Sequence, residues 1–233
     1  MPPEARAGAG VIGRVLERIG WRMGLLFAAI LLPLWGFAEL GEEVHEAESF
    51  VFDEPILLRA KAASGPWLDH AFLAISWAGY QGVIILDVVL VGVLLARRRW
   101  REATFAGVAL LGSALLNLTT KQLFARARPT LWESISPQDT FSFPSGHAMG
   151  SMTFVVVLVL LAWGSRWRWP VLLLAGAFAL AVGVSRIYLG VHYPSDILGG
   201  WAASIAWVVG IYAAVFRGAR RPWKTLQVEP AAR

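Results

Sequence analysis

At 233 residues the chain is 57% hydrophobic and 16% charged, with a mean hydropathy of +0.57, whereas soluble domains carry roughly 25% charged residues. That balance excludes an ordinary water-soluble globule, and the absence of cysteine excludes a disulfide framework, a thiol nucleophile and any thiolate metal site. The net charge of +5 would mark a nucleic-acid binder only if the cations formed a patch, and they do not.

In chain order, apolar runs bounded by charges predict six membrane-crossing helices at residues 23–40, 72–96, 103–124, 147–163, 170–188 and 197–216, near the ~20 residues that span a hydrocarbon core. The chain reads as one all-α, polytopic membrane domain over residues 1–233, because no repeat and no long linker interrupts it. The first run is longer than a secretory h-region and no small-x-small site precedes the acidic loop after it, so it is read as a retained span. Between the first two spans, residues 44–63 hold Phe50, Val51 and Phe52, then Pro55 ahead of Ile56, Leu57 and Leu58, with Arg59 and Lys61. This pattern suits a short interfacial helix that admits a lipid, and equally a loop packed over the bundle. The polar end of the third run and the His147 start of the fourth are expected to line something wet. The 12 tryptophans suit the headgroup level, where an indole ring is apolar on one edge and wet at its N–H.

The cations sort by side. Fifteen of the 21 lysines and arginines lie together: Arg6, Arg14, Arg18 and Arg22; Arg97, Arg98, Arg99 and Arg101; Arg166 and Arg168; Arg217, Arg220, Arg221, Lys224 and Arg233. The other side holds Arg59, Lys61, Lys121, Arg126, Arg128 and Arg186, with the acidic run Glu42, Glu43, Glu46, Glu48, Asp53 and Glu54. The positive-inside rule places both termini in the cytoplasm of a cell membrane and the opposite loops outside. The basic isoelectric point is then a topology signal, and nucleic acid is not an expected partner.

Three polar clusters fall at the outer ends of spans three to six. Lys121, Arg126 and Arg128 with Pro129 crowd three cations into eight residues, and Glu133 and Asp139 are few counter-charges for them. A phosphate ligand resolves that repulsion, and snorkelling to headgroups is the plainer alternative. Pro144-Ser145-Gly146-His147 precedes an apolar run; Ser145 suits an N-cap, the first-turn N–H groups form an anion site, and His147 can act as a general acid or be incidental. Ser185-Arg186, five residues, His192, three residues and Asp196 bring Arg186 back beside His192 across a short turn, with Pro194 early in the last helix. Asp196 can hold one imidazole nitrogen and leave the other as nucleophile, or simply cap the helix. All three plain readings would have to hold on one side of one membrane, so together the clusters point to a phosphate-handling site.

These residues resemble the signatures of the type 2 phosphatidic acid phosphatase (PAP2) superfamily: Lys121-x6-Arg128-Pro129, Pro144-Ser145-Gly146-His147 and Ser185-Arg186-x5-His192-x3-Asp196. The match covers eleven fixed positions within residues 121–196, and Arg126 is not among them. The resemblance implies that His192 attacks phosphorus to form a phosphohistidine and that Asp196 orients it. It implies that His147 protonates the leaving alkoxide and then activates water, and that Lys121, Arg128, Ser145, Gly146 and Arg186 bind the phosphoryl oxygens. No metal and no other cofactor is implied. Soluble vanadium haloperoxidases share the signatures, but the six spans argue for the membrane branch.

Phe141, Phe143, Trp132 and Trp201 are expected to flank the site at headgroup level and favour a lipid phosphate over a sugar phosphate. Phosphatidic acid, phosphatidylglycerol phosphate and undecaprenyl pyrophosphate are the candidates, the last favoured slightly by an outward site. The alternatives are a phosphotransferase that passes the group to another lipid or glycan, and a transporter or lipid-binding protein without turnover. Asp87, mid-span, is expected to face the bundle interior, either bonded to Asn117 or marking a transport path. Asp69 reads as a helix-start residue, His45 and His70 as solvated, and Tyr188 as an interfacial aromatic.

Overall fold

The computed structural model describes residues 3–216, with side chains from Met23 onward. The basic residues Arg217, Arg220, Arg221, Lys224 and Arg233, and the side chains of Arg6, Arg14, Arg18 and Arg22, on which the sidedness reading rests in part, lie outside what is described. Among the described residues every regular element is helical: α1 (Pro3–His45), α2 (Asp53–Ala62), α3 (Pro66–Trp77), a π-helical turn (Ala78–Gly82), α4 (Val83–Ala96), α5 (Trp100–Phe124), α6 (Gly146–Ala162), α7 (Arg168–Tyr188) and α8 (Pro194–Val215).

Five stretches are long and apolar enough to cross a bilayer: Met23–His45, Pro66–Ala96, Trp100–Phe124, Arg168–Tyr188 and Pro194–Val215. Each contains or overlaps a predicted span. The second begins at Pro66 rather than at residue 72, because proline opens α3 in its first turn. The remaining prediction corresponds to α6, apolar but only 17 residues, or about 25 Å against a hydrocarbon core of about 30 Å. Its N-terminus, which carries the Ser145–His147 cluster, therefore has room to sit below the headgroups. Leu111, Leu115 and Leu118 on α5 are 70%, 64% and 63% exposed; that helical stripe of leucine would be costly in water and is at home against lipid acyl chains.

Helix α8 packs on α1, α5 and α6, and α6 also packs on α7. At one end of the bundle Leu94, Phe105, Val157, Val208 and Phe216 form a buried cluster. At the other end α5 and α7 finish while α6 and α8 begin, so the three polar clusters share one layer. Two details hold that layer together. Gly199 of α8 lies against Phe143, where an added Cβ would come within 2.5 Å of the ring; Phe143 is fully buried, stacked on Phe37 at 5.7 Å and edge-on to Phe124 at 5.0 Å. Tyr188, expected at the interface, is instead buried: its ring lies 4.3 Å from that of Phe72 and its hydroxyl donates to Asp69 Oδ1 at 2.6 Å. It fastens the first turn of α3, where Asp69 sits as predicted, to the end of α7.

Candidate active site

Each cluster owes its place to the way a helix ends. Lys121 is in the last turn of α5, and Ala125 follows in the left-handed region at φ 45°, a conformation that costs a non-glycine residue about 1–2 kcal/mol. This reverses the chain sharply, and Arg126 and Arg128 return over the bundle end. Ser145 caps α6, its side chain accepting the Ala148 N–H at 3.4 Å. Helix α7 ends in a Schellman motif: the Gly190 N–H donates to Ile187 O at 3.0 Å and the Val191 N–H to Arg186 O at 3.2 Å. Gly190 sits at φ 69°, where glycine alone carries no Cβ penalty. This turn is the physical content of the five-residue spacing. It sends the chain back so that His192 lies beside Arg186, and Pro194 then opens α8.

A cavity of about 460 Å³ collects Lys121, Arg128, Gly146, His147, Arg186 and His192, all named from the sequence, together with Leu73, Ser76, Trp77, Tyr80, Gln81, Asn117, Leu118, Ser136, Gln138 and Thr140. Asp196 and Ser145 are fully buried behind it. Ser145 thus shapes the α6 terminus, while the wall beside it is formed by Gly146 and His147.

His192 is set as a nucleophile would be. Its Nδ1 lies 3.2 Å from Asp196 Oδ2, and that carboxylate oxygen also accepts the Tyr193 N–H at 2.9 Å and the Ser142 hydroxyl. A carboxylate can only accept, so Nδ1 carries the proton and Nε2 keeps its lone pair. Nε2 lies 3.1 Å from Arg128 Nη1. Burial pushes the His192 pKa down to about 3, outweighing the upward pull of Asp196, so the ring is neutral at physiological pH. His147 has a different setting: its ring stacks on Tyr80 at 4.9 Å and 27°, presented by the π-helical turn, a device common at functional sites.

Three cations converge on this cavity. Among the described residues none of them has a carboxylate at ion-pair distance. Glu133 and Asp139, the counter-charges considered from the sequence, do not pair with them. Lys121 Nζ donates to the Phe141 carbonyl. Arg128 is held by the carbonyls of Thr140 and Val191, both at 2.6 Å; burial lowers its pKa, yet a guanidinium remains charged. Arg186 is 1% exposed. Its Nη1 donates to Ser76 Oγ, while Nε and Nη2 are buried without a hydrogen-bond partner. Buried donors on a cation are costly to leave unpaired, and the residue that carries them lines a cavity that an anion can enter.

Some expectations are corrected. None of Phe141, Phe143, Trp132 and Trp201 lines the cavity: Phe143 is core, Trp132 packs on Gly190, and Trp201 packs on Gly183. The aromatic wall is Trp77 and Tyr80 instead. Asp87 does not bond to Asn117; Asp87 Oδ1 is buried and unpartnered, while Asn117 Nδ2 donates to Pro144 O at 3.1 Å. His45 and His70 are exposed as expected. Sequence reasoning missed Asp53, Ser76 and Ser142, and left Arg126 without a role. Their links to the site span from 50 to 142 positions of sequence, as between Ser142 and His192 and between Asp53 and Ser195, and no local pattern announces such contacts.

The PAP2 superfamily pattern matches residues 102–220. The chain belongs to the PAP2 superfamily. It is 30% identical to phosphatidylglycerophosphatase B of Bacillus subtilis over 178 residues, 72% of this chain and 86% of that protein. It is 31% identical to the putative undecaprenyl-diphosphatase YbjG of Escherichia coli over 153 residues, 64% of this chain and 74% of that one. The fold matches the crystal structure of a transmembrane PAP2-type phosphatidylglycerolphosphate phosphatase from Bacillus subtilis with TM-score 0.68 and 27% identity, covering 79% of this chain and 94% of that one. With its apolar helices, this PAP2 phosphatase is an integral membrane enzyme, a hydrolase.

Proposed function

We propose that this PAP2 protein is a metal-independent phosphatase that hydrolyses a lipid phosphate monoester or pyrophosphate at the outer membrane interface through a phosphohistidine on His192. The observation that carries the reading is the pairing of an oriented His192 Nε2 with the unpartnered Nε and Nη2 of Arg186 around one cavity. In the first step Nε2 forms a bond to phosphorus, the phosphorus–oxygen bond to the lipid breaks, and His147 gives the leaving oxygen its proton. In the second, His147 takes a proton from water, the water oxygen attacks phosphorus, and Nε2 regains its lone pair as phosphate departs. Lys121, Arg128 and Arg186, with the Gly146 N–H at the α6 terminus, stabilise charge on the transferring group, the task often given to Mg²⁺. Arg128 Nη1 turns from Nε2 to a phosphoryl oxygen as the substrate seats.

A lipid is favoured because the cavity wall is itself lipid-facing. Trp77 and Leu118, both lining residues, are 57% and 63% exposed on the bundle surface, so a tail can stay in the bilayer while its phosphate enters. The names of the relatives make phosphatidylglycerol phosphate and undecaprenyl pyrophosphate the first substrates to try, with phosphatidic acid beside them. In mixed micelles with excess EDTA, the purified protein is expected to release free inorganic phosphate from at least one of these lipids in competition. Loss of activity on chelation overturns metal independence, and transfer of the phosphoryl group to a second lipid without free phosphate makes it a phosphotransferase.

The proposed layout has six spans, both termini in the cytoplasm and α2 lying on the outer interface. Ser136 lines the cavity, so Ser136→Cys should react with a membrane-impermeant maleimide added to intact cells. Labelling that requires permeabilised cells inverts the orientation.

A further inference from the structure

Beside the dyad, Arg126 is the cation that pairs with carboxylates. Its Nη1 donates to Asp196 Oδ1 at 2.6 Å and to Ser195 Oγ at 2.8 Å, and its Nη2 donates to Asp53 Oδ2 at 3.0 Å. The guanidinium carbon lies 4.1 Å from the centre of the Tyr193 ring and 5.6 Å from that of Phe50. Asp53, the first residue of α2, is buried and accepts both the Ser195 N–H at 2.9 Å and the Ser195 hydroxyl at 2.6 Å. Arg126 is absent from the cavity wall, so it is no phosphate ligand.

We propose that Arg126 is a positioning residue for the His192–Asp196 dyad and that Asp53 of α2 is its anchor. The inference rests on the phosphohistidine reading. Asp196 has two oxygens and opposed demands on them: Oδ1 meets Arg126, and Oδ2 meets His192 Nδ1, Ser142 and the Tyr193 N–H. With Oδ1 pinned, the carboxylate cannot rotate, Nδ1 keeps its proton and Nε2 faces the cavity. Without Arg126, two buried carboxylates, Asp53 and Asp196, would share the neighbourhood of Ser195 with no cation between them, and a buried uncompensated charge is costly. The bridge also ties α2 to the dyad, because the same guanidinium holds both carboxylates.

The charges around His192 fix the sign of the test. Asp196 on α8 faces it directly, with Arg126 and Asp53 behind; Arg128 from the loop, Arg186 on α7, Lys121 on α5 and His147 on α6 border the same cavity. Loss of the Arg126 charge makes this surrounding more negative, favours the protonated imidazole, and moves the acidic limb of kcat/KM to higher pH.

For Arg126→Gln the expected result is a kcat lowered about 10–100-fold, the usual range for an outer-shell partner. KM should change less than about threefold, with an acidic limb about one unit higher. Arg126→Lys keeps the charge and so the limb, and recovers part of kcat. The double variant Asp53→Asn/Arg126→Gln removes both charges of the Arg126–Asp53 pair, leaves Asp196 held through Oδ2 alone and returns the limb toward the original position. Wild-type kcat in Arg126→Gln, a loss carried by KM, or equal losses in the Gln and Lys variants with an unmoved limb each overturn the proposal. His192→Ala in the same assay separates the two readings: if it is active, the phosphohistidine is wrong, and if it is inactive while Arg126→Gln is fully active, only the positioning role is.

Discussion

Replacing His192 by alanine is expected to lower kcat by at least about 10³-fold, the scale seen when a covalent nucleophile is removed, and to abolish an acid-labile phosphoenzyme. The effect should fall on kcat, because Lys121, Arg128 and Arg186 remain in place to hold the phosphate. Few groups can substitute. Thr140 Oγ1 accepts from Arg128 at 3.0 Å, which occupies one of its two lone pairs, and Ser76 Oγ is engaged by Arg186. His147 is the other imidazole, but among the described residues no carboxylate lies at ion-pair distance from it, and its ring is stacked on Tyr80. The two histidines can be told apart in one experiment. Rapid quenching of the wild-type enzyme with radiolabelled lipid phosphate should trap label on protein, and His192→Ala should trap none. A variant that still carries label, or still turns over near the wild-type rate, removes His192 as the attacking group.

The sequence made the helical bundle and most of the cavity legible because both rest on local physics. Apolar runs of span length have one energetically acceptable destination, and the ends of α5, α6, α7 and α8 carry their own signals: a lysine in a last turn, a serine cap, a glycine in the left-handed region and a proline at a first turn. The x5 spacing between Arg186 and His192 is a Schellman turn written in residues. What stayed hidden depends on side-chain packing between distant segments. Aromatic residues near the motifs looked like a lipid-facing collar, yet Phe143 fills the space against Gly199, Phe37 and Phe124, and the collar comes from Trp77 and Tyr80 on α3 and the π-helical turn. A π-helical turn widens the backbone without changing composition, so nothing in Ala78–Gly82 announced it. Arg126 looked like one more cation in a crowded cluster. Its partners, Asp53 and Asp196, stand 73 and 70 positions away, and only the fold shows that it meets these two carboxylates rather than the cavity.

Arg186 should show a conflict between stability and function. Arg186→Met is expected to lower kcat/KM by about 10²–10³-fold, the cost of one donor that stabilises charge in a transition state, and at the same time to raise the melting temperature of the substrate-free protein. The first effect follows from electrostatics: a guanidinium about 4 Å from a phosphoryl oxygen is worth about 4 kcal/mol at an effective dielectric of 20. The second follows from burial. At 1% exposure, with Nε and Nη2 unpartnered and a single bond to Ser76, the charge is held where solvation is poor. Exchanging buried ionic groups for apolar ones of similar volume is neutral or stabilising by about 1–4 kcal/mol; leaving Ser76 Oγ without its partner offsets about 1 kcal/mol of that. Inorganic phosphate supplies the readout. Saturating phosphate should raise the melting temperature of the wild-type protein, since at 100 times Kd it adds about 2.7 kcal/mol to the folded state, and should raise that of Arg186→Met much less. Arg186→Lys should fall between them, keeping a point charge but losing the fork that matches two oxygens. Thermal unfolding in detergent micelles, with and without phosphate, checks all three. A destabilised Arg186→Met that still responds fully to phosphate would show that the buried guanidinium serves packing, and that Lys121 and Arg128 bind the phosphoryl group without it.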